Sequence, residues 1–147
     1  MDARYNMSIA AALGFSFIIS GLGLIHAMAY PLQMKSQISH GLSCSILTPH
    51  GMEFNLPVKL SRFAHIAELM GEKVENLSLR DKAARAIEAV KQLSIDVGMP
   101  QRMRDVGIKK DDIPGFVENV LTFQPHVVDA NPRDASGDDI RNIFEAA

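Results

Sequence analysis

Between Met7 and Pro31 the chain carries no Lys, Arg, Asp or Glu. This uncharged run constrains the fold more than any other feature. A helix that is apolar all round is either buried within a protein or placed in a membrane. The asymmetry reaches further. Residues 1–56 contain only Asp2, Arg4, Lys35 and Glu53 as charged groups, and every other charged residue lies beyond them. The run is long enough to span a bilayer. Against a span stand the polar Ser8, Ser16, Ser20 and His26, the glycines Gly21 and Gly23, and the lack of a Lys/Arg cluster at either end. A secretory signal fits poorly, because Met-Asp-Ala-Arg carries no net side-chain charge and the apolar run is too long. A buried central helix is therefore expected, ahead of a membrane helix.

Composition narrows the class. A chain of 147 residues is one ordinary domain that can bury a sizeable core. With 47% hydrophobic and 22% charged residues, it is a folded domain and not a disordered chain. The net charge is −2 and no basic patch stands out, which argues against nucleic acid as a partner. With no Trp, there is little to stack against bases or sugars. Cys44 is the single cysteine, so an internal disulfide framework is excluded and a reducing, cytoplasmic setting is expected.

Periodicity reads as helix after helix. Asp2 is placed as the N-cap of a helix over 3–20, which Gly21 and Gly23 bend or break before His26. Pro31 is expected to end or kink the segment carrying His26 and Tyr30, and 33–39 reads as a loop. A second apolar helix is expected over about 41–55, with Pro49 inside it. Leu60, Phe63, Ala67 and Met70 form the stripe of a helix stopping at Gly71. Ser78 with Asp81 resembles a capping box ahead of a face built from Ala83, Ile87, Val90, Ser94 and Val97. Ile113, Phe116, Val117, Val120 and Leu121 make a short amphipathic helix, with a solvated turn and cap at 109–112 before it. Ser136 with Asp139 caps the last helix, whose stripe is Ile140, Ile143, Phe144 and Ala147. No segment shows sustained period-two alternation. The expected fold is an all-α, multi-helix single domain over 1–147.

Few motifs carry chemistry. The chain contains no GxSxG, P-loop, HExxH, CxxC or paired Cys/His zinc spacing. Gly21-x-Gly23 opens like a dinucleotide fingerprint, but His26 stands where the third Gly belongs and the motif follows a helix. His26 and Tyr30 share a helix face at i, i+4, and His40 sits just before Gly41, near a helix start. Imidazoles in an apolar region need partners. From spacing alone, two core histidines bonded to backbone carbonyls outrank half of a metal site. His65 is read as solvated, His50 as a structural hydrogen-bonder, and His126 has no comparable company.

A resemblance reweights these readings. The chain resembles the C-terminal helical domain of the iron-dependent, group III alcohol dehydrogenase family, over almost its whole length. The residues that carry it begin with Asp2-Ala3-Arg4, at the entry into the long apolar helix. They continue as Gly21-Leu-Gly-Leu-Ile-His26-Ala-Met-Ala-Tyr30-Pro31-Leu32, His40-Gly41-Leu42 and Leu47-Thr-Pro49-His50-Gly-Met-Glu-Phe-Asn55. Met99-Pro100, Arg104-Asp-Val-Gly107-Ile and Asn131-Pro132-Arg133 match the C-terminal half.

The resemblance implies a helical domain that meets an N-terminal nucleotide-binding domain across a cleft. A divalent metal, usually iron and in some members zinc, sits there and polarises the substrate oxygen while NAD(P) exchanges a hydride. His26 and His40 correspond to two of its ligands. An Asp and a His four residues later, the other two, lie upstream of the matched region. The expectation is thus a domain without its nucleotide-binding partner, inactive alone and weak as a metal binder, with two imidazoles where a catalytic site uses three or four ligands. Tyr30 stands where many members have a further His and is a candidate substrate-pocket residue. Gln33-Met34 replaces a frequent Gly pair, and Ser39 replaces a common Pro before His-Gly. A separately encoded nucleotide-binding domain and self-association through exposed surface are the expected partnerships. The alternative is a non-enzymatic helical module that uses its apolar N-terminal helix for oligomerisation or membrane attachment.

Overall fold

The computed structural model describes residues 1–15 and 21–147, and among these it is all-α, with no strand. Eight α-helices follow in order: α1 (Asp2–Gly14), α2 (Leu24–Ser36), α3 (His40–Asn55), α4 (Leu60–Leu69), α5 (Leu79–Asp96), α6 (Ile113–Phe123), α7 (Pro125–Asp129) and α8 (Gly137–Ala146).

The core forms where α2, α3, α6 and α8 meet. Leu24, Met28 and Leu32 of α2 pack with Ile46 and Leu47 of α3, Phe116 and Val120 of α6, and Ile140 and Phe144 of α8. The Phe116 and Phe144 rings stand 5.6 Å apart in a tilted pair. A second, smaller cluster of Ala67, Val74 and Ala86 joins α4 to α5. Only residues 37–39 connect α2 to α3, so these two helices pack closely against each other. Gly51 makes that approach possible, since a Cβ there would collide with the Ile25 side chain.

Several expected elements are present. Ser78 accepts from the Asp81 N–H at the head of α5. Ser136 and Asp139 form a reciprocal capping box on α8. Gly21 has φ of +89°, which a side chain would resist, and α2 begins just beyond it with Gly23 as its N-cap. The 109–112 turn is present too, with the Asp112 carboxylate accepting from the Lys109 N–H and pairing with Lys35 at 3.0 Å.

Four expectations are corrected. The N-terminal helix runs over Asp2–Gly14 and none of its residues is buried, so the buried central helix is α2 instead. The rest of the expected 3–20 helix, from 16 to 20, lies outside the described residues. Asp2 is the first residue of α1, with Met1 in the cap position. Pro31 does not end α2, which continues to Ser36 and turns at Gln37 with φ of +54°. An internal Pro costs about 3 kcal/mol in an isolated helix. Here the ring is buried, and that burial works against the penalty of the lost hydrogen bond. Residues 33–36 are therefore helix and not loop. Lastly, α3 starts at His40, one residue early, because Ser39 caps it by accepting from the Leu42 N–H.

Candidate metal centre

Two helix starts converge on the candidate site. His26 lies in the first turn of α2 and His40 is the first residue of α3. Their ring centroids are 5.1 Å apart, and the Tyr30 ring, one turn beyond His26, stands 5.6 Å from His40. Fourteen residues of sequence separation thus close to one contact, because the intervening α2–α3 connection is so short. His26, Tyr30 and His40 are all half-buried.

Two further side chains complete the site. The Gln33 carboxamide oxygen lies 3.0 Å from His40 Nδ1. An oxygen only accepts, so the imidazole proton sits on Nδ1 and Nε2 presents its lone pair. Cys44 Sγ lies 3.4 Å from that Nε2, with the thiol donating. Cys44 follows His40 by four residues, so both point from one face of α3. Donor atoms of His26, His40 and Cys44 all lie within 4.8 Å of one another. Among the described residues no other group of three His, Cys, Asp or Glu meets this way.

Burial disfavours charge on His26 and Cys44. Burial, then the neighbouring His40, holds the His26 imidazole below its ordinary range. Burial pushes the Cys44 thiol up to about 11.

The other histidines stay apart from this cluster. His65 is exposed, as expected, with Glu68 at 3.5 Å. His50 Nδ1 lies 4.0 Å from Glu53 Oε2, too far for that contact to be the expected structural hydrogen bond.

Positioning residues come from distant sequence. Asn131 is buried and its Oδ1 accepts from the Leu24 N–H at the head of α2, at 3.4 Å. Asn131 Nδ2 also donates to Asn55 at 2.8 Å and to the Arg133 carbonyl at 2.7 Å. Arg133 donates to the Phe54 carbonyl at 2.9 Å and stacks over the Phe54 ring at 4.1 Å. The 131–133 segment thus pins the start of the His26 helix to the end of the His40 helix. Sequence reasoning missed Cys44 as a site residue. Its signal was the same i, i+4 spacing that paired His26 with Tyr30, here applied to His40.

Fold and site define a helical domain with a compact nitrogen and sulfur donor cluster at one helix–helix junction. The model described as "Fe-containing alcohol dehydrogenase family, C-terminal" matches residues 1–147. The chain belongs to that family. It is 40% identical to the 1,3-propanediol dehydrogenase of Klebsiella pneumoniae, over 100% of this chain and 38% of that protein. It is 36% identical to the NAD-dependent methanol dehydrogenase of Bacillus methanolicus, again over 100% of this chain and 38% of the relative. Among solved structures, the alcohol dehydrogenase from Oenococcus oeni superposes with a TM-score of 0.80 at 41% identity, covering 86% of this chain and 32% of that one. The chain therefore spans under two-fifths of the length of the curated relatives it matches.

Proposed function

We propose that this chain is the metal- and substrate-binding part of an NAD(P)-dependent alcohol dehydrogenase that interconverts small alcohols with aldehydes or ketones. The observation that carries this reading is the convergence of His26 and His40 on a chain of this family. Their imidazoles, one oriented by Gln33, suit a divalent ion, and iron is the metal in the family's name. Bound there, the ion supplies Lewis-acid polarisation of a substrate oxygen. His26 and His40 hold it, Gln33 orients His40, and the Tyr30 ring lines the adjoining substrate pocket. The hydride partner is a nicotinamide, which the names of relatives such as the methanol dehydrogenase support. That cofactor binds on a nucleotide-binding domain outside these 147 residues, and the setting is cytoplasmic. Family membership does not favour a module confined to oligomerisation or membrane attachment, and no helix among the described residues is long and apolar enough to cross a membrane.

The test measures bound metal in the purified chain, in His26→Ala and in His40→Ala. NAD(P)-linked oxidation of small alcohols and diols is then assayed with and without an added nucleotide-binding domain. The expected result is weak metal binding by the chain alone, metal retention with the added domain that both substitutions abolish, and turnover only with that domain. Metal retention indifferent to both substitutions overturns the proposal.

A further inference from the structure

We propose that Cys44 is a third protein ligand beside His26 and His40, making a His2Cys site that prefers zinc or cobalt to harder divalent ions. This rests on the assignment of the His26/His40 pair to a metal made above, and it adds a residue and a selectivity to it.

Four observations support the ligand. The first is distance. A tetrahedral ion with bonds of about 2.3 Å to sulfur and about 2.0 Å to nitrogen holds those atoms about 3.5 Å apart. Cys44 Sγ and His40 Nε2 stand at 3.4 Å before any ion is considered. The second is closure: the donor atoms of all three residues lie within 4.8 Å, so small side-chain adjustments bring them onto one centre. The third is the tautomer. Gln33 holds the His40 proton on Nδ1, which leaves the Cys44-facing Nε2 as the ligating atom. This is the outer-sphere arrangement that metal-binding histidines use, with a carboxamide as the acceptor. The fourth is backbone placement. His40 and Cys44 stand one turn apart on α3, a rigid element whose start is capped by Ser39.

The donor set then decides selectivity. Thiolate with two imidazoles is a borderline-soft environment, and divalent affinities rise from iron through cobalt towards zinc at such sites. Binding replaces the Cys44 S–H bond with a metal–sulfur bond and releases one proton to solvent per ion, with no change of oxidation state.

Cobalt(II) titration of the 147-residue chain reads the sulfur directly. A thiolate ligand produces a near-ultraviolet sulfur-to-cobalt charge-transfer band beside the visible bands, and Cys44 is the single cysteine that can produce it. The expected result is that band in the unmodified chain, displaced by equimolar zinc. Cys44→Ser removes the band and lowers cobalt and zinc affinity by about tenfold or more, with far-ultraviolet circular dichroism unchanged. Visible bands that His26→Ala abolishes, without any near-ultraviolet band, overturn the Cys44 ligand and leave the histidine pair standing. Cobalt binding indifferent to His26→Ala and His40→Ala overturns both. Should Cys44→Ser fail to fold, the presence or absence of the band in the unmodified chain still decides.

Discussion

Helices α1 and α2 both derive from the nearly uncharged N-terminal region, and each is 13 residues long. None of the residues in α1 is buried, and Tyr5 and Met7 are 67% and 71% exposed. In α2, Leu24, Ala27, Met28, Ala29, Pro31 and Leu32 are all buried. Apolar composition alone therefore did not decide which helix enters the core. The partners did: α3, α6 and α7 surround α2, and Asn131 ties its first turn to α3. An exposed apolar helix is marginal in water by itself and marks a contact surface.

The contrast is open to direct attack. The largest effect should come from Leu24→Ala, which empties a fully buried α2 position and should cost about 2–5 kcal/mol in urea unfolding. Ile9→Ala, on α1, should stay within about 0.5 kcal/mol. Equal costs at the two sites would erase the distinction between the helices. Asn131→Ala comes next. It strips the acceptor from the Leu24 N–H and the partner from Asn55, and should cost about 1–3 kcal/mol while weakening cobalt binding by loosening the head of α2. Unchanged cobalt affinity at reduced stability would mean that Asn131 supports the core without positioning His26. Ser39→Ala should cost about 1 kcal/mol by uncapping α3, whereas α1 has no side-chain cap to lose, so Asp2→Ala should be near neutral.

The smallest effect is one of pH, and it belongs to α3. Burial is the main cause that holds the His50 imidazole below its ordinary value. Glu53 raises it, and the charges of Lys91 and Arg102 lower it. The unfolded chain therefore takes up that proton first on acidification. His50 contributes its full stability above about pH 6.5, and the contribution is lost as pH falls through the lowered folded value. His50→Gln should flatten the stability profile between about pH 7 and pH 5 relative to the unmodified chain. An unchanged slope would place His50 in an environment no drier than that of the exposed His65.

What was legible in sequence follows the range of the forces involved. The caps Ser78 and Ser136, and most of the stripes of α5, α6 and α8, depend on residues three or four apart and appear where periodicity placed them, whereas Val97 and Leu121, expected on the stripes of α5 and α6, are exposed. The burial of α1 was misjudged because exposure depends on surfaces that are distant in sequence. Pro31 was misjudged because its local penalty is real, while its burial within α2 is decided by tertiary packing. Cys44 was a local signal that went unused, since a lone cysteine reads first as a marker of compartment.

The sequence by itself determined the all-α class, the caps at Ser78 and Ser136 and, through resemblance, the pairing of His26 with His40. Tertiary structure alone decided that α2 and not α1 is the core helix, and that Asn131 and Arg133 anchor the junction. It also decided that Gln33 and Cys44 close around His40. Helix and cap preferences are set within one or two turns of chain. Burial and the meeting of side chains around a common point require surfaces that only packing brings together.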